Sequence, residues 1–501
     1  MNTSKRIAKN TLMLYFRQIL IMLVSLYTVR VVLNVLGAED YGIYNVVAGV
    51  VVLFSFVNNA MASSTQRFIN YSLGEKNLEK VTEVYSASLI IHGIIALLFL
   101  VLAETIGLWF VSYKLNIPAE RHTAALMTYQ FSVVSTIFTI FRVPYNATII
   151  AYERMSFFAI LSIIEAVFKL LVVFLISSLN FDKLVFYSFL LAVISALITL
   201  LFKIYCNMKI ETARFSKVRD KTLVKELFAF SGWNLFGATA NVGNQQGTNI
   251  VLNIFTNVTV NAAMGIANQV NAAVYSFVTN FQTAFNPQLV KSYASGEKEF
   301  FQNLIIQTSK YSFYLLLIIV LPVSFNTNLL LTFWLKNVPD YAVTFVQLIL
   351  IWSLIESLNG PLYMAISATG RIKAYQIIIG ILNFMNLPLL ILAFYLKASP
   401  LSVLYIRIIL NIVALVFRVI MCKQMVNLPV GKFLYDVIFK SLTISLITVL
   451  VIYLLKAIVN NHILFFFISC VLSSIVTLFF VLVWGVNKKE RYVIKKMIFM
   501  R

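Results

Sequence analysis

The sequence predicts an all-α integral membrane protein: about fourteen transmembrane helices in two parallel six-helix lobes plus two extra C-terminal helices. Three observations carry this. First, 60% of the 501 residues are hydrophobic and only 12% are charged, with a mean hydropathy of +0.88. A soluble chain of this size has no way to cover so much apolar surface. Second, the apolar residues come in runs long enough to cross hydrocarbon, which takes roughly 20 residues of helix. Third, the two halves of the chain echo one another.

The predicted spans are 10–36, 42–68, 84–111, 122–142, 155–178, 184–206, 226–255, 260–290, 303–332, 343–368, 374–396, 401–422, 434–457 and 463–486. Each apolar run stops at a polar, Gly or Pro cluster, such as Gly37–Asp40, Asn116–Pro118 or Asn180–Lys183. The division between 226–255 and 260–290 is the weakest, because polarity there is high and the break is short. The basic N-terminus precedes an apolar run that is too long and too polar for a signal-peptide core, so it reads as the first span.

The net charge of +21 belongs to orientation rather than to nucleic acid. Of the 40 Lys and Arg residues, thirty sit in the loops and flanks on the side of the N-terminus. Six lie on the other side (Lys114, Arg121, Lys183, Lys336, Lys397 and Lys456), and four fall within spans: Arg17, Arg30, Lys169 and Arg407. Short loops rich in Lys and Arg stay in the cytoplasm, so both termini are expected there. The basic stretch 207–225 reads as a cytoplasmic linker on an anionic leaflet. Cys206, Cys422 and Cys470 suit no extracellular disulfide, and the three histidines are too scattered for a zinc site.

The internal echo sets Val32-Leu33-Asn34 against Val251-Leu252-Asn253, Ser55–Asn59 against Ser276–Asn280, and Gly74-Glu75-Lys76 against Gly296-Glu297-Lys298, at offsets of 219, 221 and 222. Six spans precede the second copy, so both copies enter the membrane in the same sense. Parallel repeats imply a pseudo-two-fold axis along the membrane normal and a cavity between the lobes. The expected domains are 1–225, 226–425 and an appendage 426–501.

Charges within spans are costly and face a bundle interior or water. At 100° per residue, Asn10, Arg17 and Thr28 share one face of span 1. Arg17 then either lines a cavity and meets an anion or snorkels to the surface. Arg30 and Arg407 lie nearer the outer ends, where snorkelling is easier. Glu165 and Lys169 form an i, i+4 pair, either neutralising each other, or acting as a proton or cation switch, or leaving Lys169 alone to face an anion. Glu356 shares a stripe with Trp352 and Asn359 and is either hydrogen-bonded inside the bundle or a proton carrier. Spans 7 and 8 are crowded with amides. Asn234, Asn241 and Gln245 in span 7 and Asn268 in span 8 are candidates for a wet wall suited to a hydroxyl-rich ligand, although some amides serve as glue between helices. The candidate substrate-cavity residues are therefore Arg17, Arg30, Lys169, Arg407, Asn234, Asn241, Gln245 and Asn268. Those for ion coupling are Glu165 and Glu356. No P-loop, G-x-S-x-G or paired outer carboxylates are present, and no cofactor is implied.

The chain also resembles the oligosaccharide flippases of polysaccharide biosynthesis (the Wzx type), within the superfamily that includes the multidrug and toxin extrusion antiporters. The carriers are Arg30 followed by Leu36-Gly37-Ala38-Glu39-Asp40-Tyr41-Gly42-Ile43-Tyr44, Tyr152-Glu153-Arg154-Met155, Pro287-Gln288-Leu289-Val290-Lys291-Ser292-Tyr293, and Ala368-Thr369-Gly370-Arg371-Ile372-Lys373-Ala374-Tyr375. The second half has Thr256-Asn257-Val258 in place of the Gly37–Gly42 turn. The resemblance implies a transporter in the bacterial cytoplasmic membrane. Its cargo would be a polyprenyl-pyrophosphate-linked oligosaccharide, moved to the outer leaflet for O-antigen, capsule or other surface polysaccharide. Membrane lipids, and a polysaccharide polymerase and glycosyltransferases, are the implied partners. A cation-coupled multidrug antiporter of the same fold is the nearest alternative. A membrane-embedded polymerase or glycosyltransferase is a further one, though no sizeable outer loop is present to hold its catalytic acids.

The charge asymmetry makes a direct prediction. Cysteines introduced at position 115 or 337 will react with an impermeant thiol reagent added outside intact cells, and cysteines at 215 or 495 will not. Reversed labelling would overturn the orientation.

Overall fold

The computed structural model describes residues 3–52, 55–113, 115, 117–177, 181–218, 220–256, 258–335, 338–459 and 461–486. The breaks expected at Asn116 and Asn180 lie outside these residues, as do the side chains of Arg30 and of Ser55–Asn59.

The described chain is helical nearly throughout. Its helices are α1 (Thr3–Val52), α2 (Ser55–Gly74), α3 (Leu78–Tyr113), α4 (Ala119–Ala151), α5 (Met155–Ser177), α6 (Lys183–Lys209), α7 (Lys221–Phe255), α8 (Val258–Ala294), α9 (Lys298–Phe325), α10 (Thr327–Leu335), α11 (Ala342–Ala368), α12 (Lys373–Tyr395), α13 (Ser402–Val426), α14 (Val430–Ile458) and α15 (Ile463–Gly485). Among the described residues ten of these, α3–α6, α9 and α11–α15, are long and apolar enough to cross a membrane. The expected count of fourteen is not reached on that criterion. The described residues of the expected spans 10–36, 42–68, 226–255 and 260–290 are helical but do not meet it; among the described residues of α1, Asn10–Ser25 forms a shorter apolar stretch. The first two expected spans are separated by a kink rather than a loop: α1 runs on past Gly37, whose φ of 79° and ψ of 169° break the helical path. A side chain there would be strained, which accounts for a glycine at this turn.

Two compact units are present, Ala8–Ala238 and a second running from Thr239 onward. The division falls inside α7. The packing explains why. The first part of α7 joins α2: Asn234 Nδ2 donates to Ser64 Oγ at 3.2 Å, and Phe230 meets Phe68 edge-on at 5.7 Å. Its later part joins α12, where Asn386 Nδ2 donates to Asn244 Oδ1 at 2.8 Å and Gly247 is so close to Leu387 that a Cβ would lie 2.7 Å from it.

The two units repeat local geometry. After α2, the amides of Glu75, Lys76 and Asn77 bond to the carbonyls of Tyr71, Leu73 and Ser72. After α8, Ser295, Gly296 and Glu297 bond to Lys291, Tyr293 and Ser292 in the same pattern, 220 residues on. Lys76 and Gly296 both take positive φ. The echo of Gly74-Glu75-Lys76 at offset 222 is thus two residues out of register with the turn it marks. Glu153 (φ 57°) and Gly370 (φ 78°) form a second matched pair, after α4 and α11. Cys206 Sγ lies 3.7 Å from Tyr145 O in one unit and Cys422 Sγ 3.5 Å from Leu362 O in the other.

Each unit has its own core. Tyr85, Tyr145, Ile149, Val173 and Ile198 anchor the first. Leu316, Phe345, Ile349, Leu350 and Leu390 anchor the second. The C-terminal helices pack on α9 of the second unit, with Asn326 Nδ2 donating to Ser469 Oγ at 2.9 Å. A buried pair, Lys440 and Asp436 at 2.6 Å, lies one turn apart on α14.

At the starts of α4 and α6 in the first unit, Arg121 ties three segments together. It grips Asp40 with Nε at 2.8 Å and Nη2 at 2.6 Å, and it reaches Asp182 with Nη1 at 2.5 Å. Asp182 also caps α6 through Val185 N at 3.1 Å. Partial burial works to raise the Asp182 carboxyl, but the Arg121 and backbone hydrogen bonds outweigh it and hold the group below its ordinary value. A carboxyl lowered on folding adds stability above its unfolded pKa of about 3.9 and loses it as pH falls through the folded value. The clamp is half-exposed, so its worth is about 1 kcal/mol. Thermal unfolding in detergent will show Arg121→Gln less stable than wild type at pH 7. The difference will shrink below about pH 4.

Candidate functional site

In the first unit a cavity of about 500 Å³ lies among α1, α4, α5 and α6. Its chemistry comes from one side chain per turn on long apolar helices. Arg17 of α1 places its guanidinium 4.5 Å over the Phe158 ring of α5. Glu165 of α5 is shared: Oε1 accepts from Lys169 Nζ at 2.8 Å and Oε2 from Arg142 Nη1 of α4 at 2.8 Å. Arg142 also sits 5.9 Å over Phe202 of α6. Ser25, Thr28, Asn146 and Ser162 add neutral polar groups. Three cations and one carboxylate thus face one space, leaving it net positive. Thr28, expected on the Arg17 face, lines the same wall. Asn10, expected there too, is buried.

The second unit carries a cavity of about 200 Å³ among α7, α8, α11, α12 and α13. Glu356 of α11 is held by amides: Asn359 Nδ2 donates to its Oε2 at 2.9 Å, and the Asn411 amide lies 2.9 Å from the same oxygen. The two arginines rest on rings instead. Arg407 stacks 4.1 Å over Trp352, and Arg418 Nε donates to Tyr375 OH at 3.0 Å. A neighbouring cavity of about 300 Å³ is walled by Asn241, Gln245, Asn249, Asn268 and again Arg407.

The structure therefore brings Arg17, Lys169 and Glu165 together in one unit, and Arg407, Glu356, Asn241, Gln245 and Asn268 around two adjoining cavities in the other. Asn234 is set apart from both, buried in its bond to Ser64, so it acts as interhelical glue. The Arg30 side chain lies outside the described residues. Glu165 and Lys169 do not simply neutralise each other, because Arg142 takes the second carboxylate oxygen. Arg407, expected either to snorkel or to line a cavity, stacks on Trp352 and lines both cavities of its unit.

Arg142 and Arg418 were absent from the sequence candidates because each was counted as a cytoplasmic flank. The fourth span was ended at Arg142, and Arg418, inside the span 401–422, was grouped with the basic residues that follow it; α4 continues to Ala151 and α13 to Val426. The apolar run Val143–Ala151 was the available signal. The helix passes through Pro144.

Because Glu165 holds two cations, removing them has unequal effects. Arg142→Gln or Lys169→Gln alone leaves the carboxylate one partner. The double variant strands it at membrane depth and will lose more thermal stability than the two single losses summed, by about 1–3 kcal/mol. Adding Glu165→Gln to the double variant will recover part of that loss in detergent unfolding. Strict additivity would show that the three side chains do not act as one cluster.

The family described as "Polysaccharide biosynthesis protein" matches residues 7–295. Nothing among curated proteins matches the chain. Several solved structures share its fold. One, described as a MATE in complex with MaD3S, has 12% identity and a TM-score of 0.73 over 85% of this chain and 97% of that one. An outward-facing multidrug resistance MATE family transporter of the MOP superfamily has 13% identity and a TM-score of 0.73 over 85% and 98%. A MOP superfamily transporter from Pyrococcus furiosus, described as having a binding pocket of reverse polarity, has 12% identity and a TM-score of 0.70 over 86% and 99%. At these identities the likeness is one of fold. With more than half of its length matched, the chain belongs to the polysaccharide biosynthesis protein family, built on the multi-pass helical fold of MATE and other MOP superfamily transporters.

Proposed function

We propose that the protein carries polyprenyl-pyrophosphate-linked oligosaccharide units from the cytoplasmic to the outer leaflet of the bacterial cytoplasmic membrane by alternating access. The single observation that carries the reading is the cluster of Arg17, Arg142 and Lys169 around one carboxylate in a cavity of about 500 Å³. Such a cluster is expensive inside a bundle of apolar helices and is kept where it meets an anion or water. A pyrophosphate diester is the anion that this family's chemistry would bring. Arg guanidinium groups match phosphate oxygens in forked pairs. The amide-walled cavities of the second unit suit the hydroxyls of a sugar, and the apolar helix faces suit a prenyl tail. Both termini would then lie in the cytoplasm, in keeping with the loop charges.

A cation-coupled multidrug antiporter is the competing reading, since the similar solved structures include a multidrug transporter. Cavities that each hold more cations than carboxylates weigh against a cationic drug. Glu165 and Glu356 remain the residues through which a proton or cation would couple.

The test combines genetics and chemistry. Deletion of the gene will lead to accumulation of lipid-linked sugars on the cytoplasmic side. Complementation with Arg17→Gln will fail to restore surface polysaccharide while membrane-inserted protein stays at the wild-type level. Arg17→Lys will be intermediate, because it keeps the charge but loses the fork. Surface polysaccharide per unit of inserted protein is the readout. Full activity of Arg17→Gln would remove Arg17 from the cargo contacts.

A further inference from the structure

The first unit carries an apolar cavity besides its charged one. It measures about 250 Å³ and is walled by α2, α3, α4 and the first part of α7, all within Ala8–Ala238. Leu98 and Leu102 of α3 and Phe228, Gly232 and Leu235 of α7 form much of the wall, and no charged side chain is among the lining residues. Leu98, Leu102 and Phe228 are exposed, so the space opens at the surface of the unit. Gly232 is a notch in the wall: a Cβ there would meet no atom within 4 Å. Walls of this kind gain dispersion contacts from a hydrocarbon guest.

The face of α7 that lines this cavity begins with two lysines. Lys221, Lys225, Phe228, Gly232 and Leu235 follow one another at spacings of four and three, which is one stripe of a helix. Both lysines are exposed at the start of α7. The nearby acids do not cancel them. Glu226 falls on the opposite face of the helix. Asp220 is spent on capping it, its Oδ1 accepting from the amides of Thr222 at 2.8 Å and Leu223 at 3.2 Å. At 1.5 Å per residue, Gly232 lies about 10 Å beyond Lys225, and Leu235 about 21 Å beyond Lys221. Half the hydrocarbon core of a bilayer is about 15 Å. A lipid whose phosphate rests on the lysines therefore has its chain at the depth of the cavity.

We propose that this stripe is a site for an anionic phospholipid from the leaflet at the start of α7, its phosphate on Lys221 and Lys225 and one acyl chain in the cavity. A prenyl chain on the cargo is the other hydrocarbon at hand, and α4 stands between it and this space. Ile140 lines the apolar cavity and Arg142 the charged one, and residues two apart lie on opposite sides of a helix. A lipid of the bilayer reaches the cavity from the surface of the unit without passing α4. Lysine holds its headgroup as a point charge with no fixed fork, which suits a lipid that exchanges with the bulk. The chain bridges Leu98 and Leu102 of α3 to Phe228 and Leu235 of α7, packing the start of α7 onto the helices of its own unit.

The experiment uses the purified full chain in phosphatidylcholine vesicles with a trace of a probe lipid carrying a diazirine on its acyl chain. The probe is phosphatidylglycerol in one arm and phosphatidylcholine in the other, and labelled peptides are read by mass spectrometry after irradiation. Phosphatidylglycerol will label residues 95–102 and 228–235 at least about tenfold more than phosphatidylcholine, as the pull of two lysines on an anionic headgroup implies. Lys221→Gln together with Lys225→Gln will bring the two probes level; both side chains are exposed, so the variant folds. Gly232→Leu, whose side chain enters open space, will lower labelling by both probes. Equal labelling by the two probes in the wild type, or a preference that survives loss of both lysines, would overturn the proposal. So would labelling that Gly232→Leu leaves unchanged. A polyprenyl phosphate that displaces the probe more effectively than phosphatidylglycerol does would overturn it too, since the cavity would then belong to the path of the cargo.

Discussion

Hydrocarbon offers no hydrogen bonds, so every polar side chain on a membrane helix has to find its partner within the protein or line a space that water or a ligand enters. Much of this structure is an answer to that constraint. Gln282 donates to Ser312 Oγ and to Ser357 O, and it packs so closely on Gly360 that a Cβ there would displace its amide. Asn386 donates to Asn244 and Thr248, and Asn234 to Ser64. These pairs join α8 to α9 and α11, α12 to α7, and α7 to α2. Polar residues here do the work that apolar contacts do in a soluble core, because packing apolar groups together gains little when the surrounding lipid is equally apolar.

The same constraint explains where the charges lie. A carboxylate between two cations, as Glu165 is between Arg142 and Lys169, satisfies all three at once. Arginines stacked on Trp352 and Tyr375 use the second available solution, the negative face of an aromatic ring. The two units share turns and helix order yet solve the problem differently. The backbone geometry matches at Lys76 and Gly296, and at Glu153 and Gly370, while the side chains of the two cavities offer different chemistry.

Fold likeness to multidrug transporters therefore says little about cargo. Function resides in the groups that face the cavity, not in the helices that carry them. The excess of cations over carboxylates in each cavity is a feature of this chain's own residues.

Much of this could be read without coordinates. Composition alone required a membrane, since no soluble surface can be made from 60% apolar residues. Apolar runs placed most helices, and in-span charge singled out Arg17, Lys169, Arg407, Glu165 and Glu356. A charge at the edge of an apolar run has two readings, loop or buried, and the run itself does not choose between them. That choice belongs to the neighbouring helices: Glu165 of α5 makes a place for Arg142, and Tyr375 of α12 makes one for Arg418. The register of the repeat was likewise misjudged by two residues at Gly74-Glu75-Lys76, because a turn is defined by which carbonyl each amide reaches rather than by which residues resemble each other. Along one chain, hydropathy determines which segments lie in lipid. Which polar atoms are left unmet inside depends on distances between segments far apart in sequence, and only the packed structure decides those.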